Sequence, residues 1–325
     1  MKKTPFLSEE IQAIEDLRSK MDLEWLHHPT RRMKNDLDSY LFSTDKQSFL
    51  SRYPFRVDPN TDDCPFFFNF LKPLHYLWRF PHTTTHFTYP VFMFKSLFVI
   101  VFLMVLVTIL LPLMLFKRVS LSVVNGHFTG GYLLYFACLG LGFMLVEIPL
   151  IQKFIVFLGH PLYAVAVVLS TMLVFSGIGS MLAGRISQQN ILRGLRTIIF
   201  ILCTLLILYV YGLPIVFDMF LGMSGYIRLI VSVLLIVPLG TLMGMALPLG
   251  IRLLEYDGKA MIPWMWGVNG ACSVMGSIIA WGLSLNFGYT ITLLTATAVY
   301  GFACLVMILK SSSPGGKEDA FVATG

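Results

Sequence analysis

Glu147 stands inside an apolar run, Leu145-Val146-Glu147-Ile148-Pro149-Leu150, with Lys153 six residues further on. A carboxylate in hydrocarbon costs several kcal/mol on order-of-magnitude scales unless it is paired, protonated or reached by water, so it marks function by default. The bland alternatives are a hydrogen bond across a helix interface or a turn toward Lys153, and the sequence leaves them open. Asn269, in Trp266-Gly267-Val268-Asn269-Gly270-Ala271-Cys272, offers an amide that both donates and accepts between helices. Its small neighbours, with Cys272, Gly276 and Ala280 at four-residue spacing, favour a packing role. Asp62 and Asp63 are adjacent carboxylates in the turn-prone segment Asn60-Thr61-Asp62-Asp63-Cys64-Pro65. Either would cap the segment that follows, which is the favoured reading, or the two would bind a cation or an amine. His82 and His86 have the i, i+4 spacing of some zinc sites, but Pro81 and three intervening threonines weaken a helix there. With no acidic third ligand nearby, no metal site is assigned.

These residues must be positioned by elements of bilayer type. Charge-free runs cover Ser96–Phe116, Val119–Val146, Phe154–Gly184, Thr197–Phe217, Leu229–Ile251 and Ala260–Leu309. About 20 apolar residues at 1.5 Å per residue cross a bilayer core. The last run holds two spans, broken at Asn286-Phe287-Gly288, so seven spans are expected near 95–116, 131–151, 162–183, 196–217, 227–249, 264–285 and 289–310. Mean hydropathy of +0.74 and only 13% charged residues agree. The fold class is an all-α membrane bundle with a small, incomplete soluble segment before it. Gly240 with Gly244, and Ser176, Ser180 and Gly184, repeat the small-residue spacing that lets helices approach closely. Pro149, Pro214, Pro238 and Pro248 kink or interrupt their helices.

The first 94 residues hold 12 basic and 12 acidic side chains, so the net charge of +6 comes from the membrane part. That excess sets orientation in a bilayer and excludes a nucleic-acid surface as its purpose. Near the spans, nine basic residues lie on the side of the C-terminus and three on the other, which places the C-terminus in the cytoplasm and residues 1–94 outside. The opening residues carry no apolar core of a secretory signal. The five cysteines contain no CxxC pair and read as small apolar packing residues. Residues 1–70 divide into a helix over 8–21, a second near 45–50, and extended chain imposed by Pro54, Pro59 and Pro65. Their weak periodicity makes a thin core, as in the tail of a larger domain. Residues 71–94 are aromatic and suit the headgroup layer, 95–310 form the bundle, and 311–325 are a polar tail.

Thr61-Asp62-Asp63-Cys64-Pro65-Phe66-Phe67-Phe68 resembles the T-D-D-R-P-F-F-F element that closes the nucleotide-binding domain of large bacterial membrane proteins of the spermidine-synthase-like or S-adenosylmethionine-dependent methyltransferase-like kind. The order continues in Gly140–Glu147, in Leu158-Gly159-His160-Pro161, in Ser176–Ser180 and in Trp266–Gly270, over most of residues 50–285. The resemblance implies an inner-membrane location and a relation to aminopropyl or methyl transfer. It also exposes what is missing. Those enzymes hold their cofactor on a glycine-rich βα turn, and the first 94 residues contain no glycine. Cys64 also replaces the arginine after the paired aspartates. The chain therefore resembles the family's C-terminal half, with no catalytic residue or S-adenosylmethionine site of its own unless a separate or upstream polypeptide supplies one. A rival reading makes the bundle a small-solute or polyamine carrier, with Glu147, Asn269 and the kinked spans lining a path. Carriers built on internal repeats show internal symmetry, and here only a faint echo links Gly140–Pro149 to Gly240–Pro248.

Overall fold

The computed structural model describes residues 5–53, 55–57, 59–66, 69–70, 72, 85–112, 130–257 and 261–311. The chain divides into two compact units, one of residues 1–59 with 70–72, the other of residues 60–69 with 73–325.

In the first unit, α1 spans Ser8–Met21 as the apolar spacing predicts, opened by Glu10, whose Oε2 accepts the Leu7 N–H at 2.8 Å. Its apolar positions Ile14, Leu17 and Met21 are exposed, Leu17 by 56%, and no residue of α1 is buried. The helix α2, Asp36–Leu41, has no apolar period and was not expected; Asn35 caps it by accepting the Asp38 N–H at 2.8 Å. Asp45 caps α3, Lys46–Arg52, through the N–H groups of Gln47 and Ser48. The knot of this unit is Asp38, fully buried. His27 Nδ1 lies 2.6 Å from its Oδ1, and the Met33 N–H donates to its Oδ2. Those two bonds, the first above all, hold the Asp38 carboxyl below the usual aspartate range.

The second unit is the apolar bundle. Among the described residues five helices are long and apolar enough to cross a membrane. They are α5 (Gly130–Leu158), α6 (Pro161–Gly184), α7 (Ile191–Phe220), α8 (Gly225–Asp257) and α9 (Ile262–Ser311). Before them α4, Thr85–Val105, runs into a π-helical turn at Leu106–Leu110, and its apolar stretch, Phe92–Thr108, is shorter than the expected span over 95–116. His82 and most of 71–84 lie outside the described residues, as does the tail after 311. Among the described residues the helices long and apolar enough to cross are thus five where seven spans were expected, since the last two expected spans form the single element α9 and the apolar stretch at α4 is short.

That element does not run straight. Gly288 has φ +88° and ψ 170°, a conformation essentially closed to residues with a Cβ. Ser284 Oγ and Thr292 Oγ1 lie 3.1 Å apart, whereas eight residues of straight helix would separate them by ~12 Å. Gly276 packs on Leu141, and Tyr300 on the adjacent Gly142. Residues on either side of Gly288 therefore meet α5 at one level, and the chain doubles back there. We call the two arms α9a (before Gly288) and α9b (after it).

Close helix approach does the packing that lipid cannot drive. A Cβ at Gly140 would strike the Asn269 carbonyl of α9a, and Gly240 and Gly244 of α8 lie on Met172 and Ser176 of α6. Gly184, expected in the same seam, faces open space. Asn269 Nδ2 donates to the Phe136 carbonyl at 3.1 Å, joining α9a to α5, and the Tyr135 hydroxyl donates to the Ala246 carbonyl at 2.7 Å, joining α5 to α8.

Candidate functional site

Residues 60–69 belong to the bundle although they precede it in sequence. Thr61 to Cys64 form a tight turn, with the Cys64 N–H donating to the Thr61 carbonyl at 2.9 Å, which puts Asp62 and Asp63 at its tip. Asp63 then does the capping expected of the pair, but for a helix 227 residues away rather than for the segment that follows. Its Oδ1 accepts from the Thr290 N–H at 2.9 Å and the Thr290 hydroxyl at 2.7 Å, and its own carbonyl accepts the Tyr289 N–H at 2.9 Å. A carboxylate at the first turn of α9b meets unpaired N–H groups and the positive end of the helix dipole. Gly288 makes room, since a Cβ there would collide with Asp63 Oδ2.

Lys153 completes this latch. Its Nζ donates to Asp63 Oδ1 at 3.0 Å and sits 5.7 Å from the centre of the Tyr289 ring. The side chain is nearly buried, so the pair replaces the alternative of Lys153 turning toward Glu147. Around the latch, Cys64 Sγ lies 3.8 Å from the Leu285 carbonyl, Asn69 Nδ2 donates to that carbonyl at 2.9 Å, and Phe66 meets Tyr289 edge-on. Pro65 follows the turn outside regular secondary structure.

Beside the latch opens a cavity of about 370 Å3. Its polar lining is Thr61, Asp62, Asp63, Lys153, Thr290 and Asp218, and its apolar lining is Val156 and Phe157 of α5 with Leu213, Pro214, Phe217 and Leu221. Phe157 and Phe217 stack at 4.3 Å with an angle of 9°. Sequence reasoning missed Asp218, which lies one residue past the expected end of its span and reads there as loop. Three carboxyl groups against one ammonium favour a cationic occupant over an anionic one. Among the described residues no group of three or more His, Cys, Asp or Glu has the arrangement of a metal site.

The remaining candidates lie apart. Glu147 is buried at 9% exposure on α5, and no described residue donates a hydrogen bond to it. Asn269 is an interhelix fastener at the other end of the α5–α9a contact. Gly159 ends α5 with φ +76°, His160 is the N-cap residue of α6, and Pro161 opens that helix. These three form the turn between two antiparallel helices and reach no cavity described above. Arg228, from α8, caps the end of α5 by donating to the Phe157 carbonyl at 2.9 Å.

The class that fold and site define is a multi-pass, all-helical membrane protein. Comparison with protein-family models, curated proteins and solved structures gives no match.

Proposed function

We propose that this chain is the membrane part of a protein resembling the spermidine-synthase-like or S-adenosylmethionine-dependent methyltransferase-like membrane proteins, and that it crosses the inner membrane seven times with its C-terminus in the cytoplasm. Alone it is non-catalytic. Its part in that assembly is to anchor a polar domain to the membrane, and the observation that carries this reading is the Asp63 latch. Residues 60–69 are fastened at Leu285, Tyr289, Thr290 and Lys153, so whatever precedes residue 60 is tied by covalent chain to a fixed point on the bundle. The exposed apolar stripe of α1 fits a domain whose remainder, with the glycine-rich cofactor site, is on a separate or upstream polypeptide.

The test is photolabelling with radioactive S-adenosylmethionine, on the purified chain and on the species captured from native membranes with an antibody to residues 1–50. Labelling only of the native species, on a partner or on a chain larger than 36.6 kDa, is expected. Labelling of the purified chain, or of neither sample, would overturn the reading.

A further inference from the structure

We propose that the bundle is an inverted repeat of two three-helix halves, α5–α6–α7 and α8–α9a–α9b, and that it works as a carrier for a small organic cation, with Glu147 as the residue that binds the charge. This goes beyond an anchoring role and does not depend on it.

The repeat is read from three registers. A shift of 97 residues carries Met172 of α6 onto Asn269 of α9a and Gly179 onto Gly276, while a shift of 100 carries Gly140 and Leu141 of α5 onto Gly240 and Thr241 of α8. Gly240 packs on Met172 and Gly140 packs on Asn269; Gly179 packs on Thr241 and Gly276 packs on Leu141. Each contact therefore occurs twice, with the two halves exchanging roles. The third register is independent of the glycines. A shift of 94 carries Leu195, Ile198, Ile199, Leu202, Leu206, Tyr209 and Leu213 of α7 onto Tyr289, Thr292, Leu293, Ala296, Tyr300, Ala303 and Met307 of α9b, and every one of these fourteen residues is buried. Cys203 Sγ, 3.6 Å from the Thr297 carbonyl, is a contact that this shift maps onto itself, as expected on a two-fold axis.

Direction follows from the same contacts. Asn269 meets Phe136 while Gly276 meets Leu141 and Met144, so α5 and α9a run parallel; Met172 faces Gly240 and Ser176 faces Gly244, so α6 and α8 run parallel. The tight turn at Gly159 makes α5 and α6 antiparallel. Hence α8 opposes α5, and the second half is the first turned over in the membrane. That arrangement, with a site at the interface of the halves, is the architecture of carriers that expose one site to either side in turn.

The identity of the cargo comes from where the repeat is broken. Glu147 corresponds to Leu247, and Lys153 to Leu253. Glu147 stands two turns beyond Gly140 on one face of α5, in the seam between the halves, and no described residue supplies it with a donor. Phe154, two further turns along, packs on Phe217, a wall of the cavity. The cavity is then a vestibule whose Asp62 and Asp218 attract a cation, whose stacked Phe157 and Phe217 suit an alkylammonium group, and whose volume is that of a small-molecule site.

The full chain, reconstituted in phospholipid vesicles, is assayed by counterflow of radiolabelled tetraethylammonium and 1,4-diaminobutane, with sulfate as the anionic control. Saturable exchange of at least one cation and none of sulfate is expected. Glu147→Gln lowers it at least tenfold with an unchanged elution profile, and Glu147→Asp retains part of it. In a cysteine-free background, thiol labelling at Leu213→Cys and at its repeat partner Met307→Cys changes in opposite senses when the transported cation is added. Exchange no faster than in protein-free vesicles for both cations, sulfate exchange, full activity of Glu147→Gln, or parallel labelling changes would each overturn the proposal.

Discussion

Replacing Asp63 tests whether the latch holds residues 60–69 on the bundle. Asp63→Ala removes one acceptor that serves the Thr290 N–H, the Thr290 hydroxyl and the Lys153 ammonium. Each such bond contributes ~1 kcal/mol net, and the charge-assisted value is discounted here because the aspartate is about a third exposed. The sum is ~3 kcal/mol toward opening of the segment, a factor of roughly 150 in the open population. Asp63→Asn keeps an acceptor for Thr290 and loses the charge, so it costs ~1 kcal/mol, roughly fivefold. The reporter is Cys64, half-buried within the segment beside the Leu285 carbonyl, labelled with a membrane-impermeant maleimide in a chain whose other cysteines are replaced. If opening limits access, the labelling rate rises in the order wild type, Asn, Ala by those factors. A change of less than threefold for Asp63→Ala would show that something other than this latch seats the segment.

Three further outcomes follow from the same structure. Gly288→Ala forces a Cβ into a conformation that costs ~1–3 kcal/mol and into Asp63 Oδ2, so it raises Cys64 labelling at least fivefold. Gly179→Ala, whose Cβ would meet the Thr241 backbone, lowers the midpoint of thermal unfolding in detergent by a few degrees, while Gly177→Ala, two residues away with no neighbour within 4 Å, leaves it unchanged or raises it. Asp38 has its folded-state value lowered by His27 first, then Met33, so its stabilisation is complete above the unfolded aspartate value of about 3.9 and is lost as pH falls through the folded value. The 19F signal of 5-fluorotryptophan at Trp25, whose ring packs on His28, should report loss of structure below about pH 4, and Asp38→Asn should remove that dependence along with part of the stability at neutral pH.

Much of the fold is legible because it is local. The apolar spacing of Ile11, Ile14, Leu17 and Met21 predicts a helix over about 8–21, where α1 lies, and Asp45 announces α3. Charge-free length locates α5 to α8, and Asn286-Phe287-Gly288 marks the reversal inside α9. The short α2 escapes because Asp-Leu-Asp-Ser-Tyr-Leu has no period and rests on a side-chain cap. The latch escapes for another reason. Asp63 and Thr290 are separated by 227 residues, and nothing in the composition of either segment names the other. The repeat shows in sequence only as glycine before proline in two helices, because lipid-facing positions drift freely while the buried register persists as a pattern of sizes.

The parallel seam between α5 and α9a bears on how the protein is made. α5 is the most enclosed of the membrane-crossing helices, yet Gly276, which packs on Leu141, is translated about 135 residues later. At roughly 5–20 residues per second the interval is about 7 to 27 seconds. Throughout it Glu147 is in the nascent bilayer segment with half of its seam still unsynthesised. The helix inserted early is therefore the one enclosed last, and a pause or truncation between α8 and α9 would leave a carboxyl-bearing helix open to lipid, a ready substrate for membrane quality control.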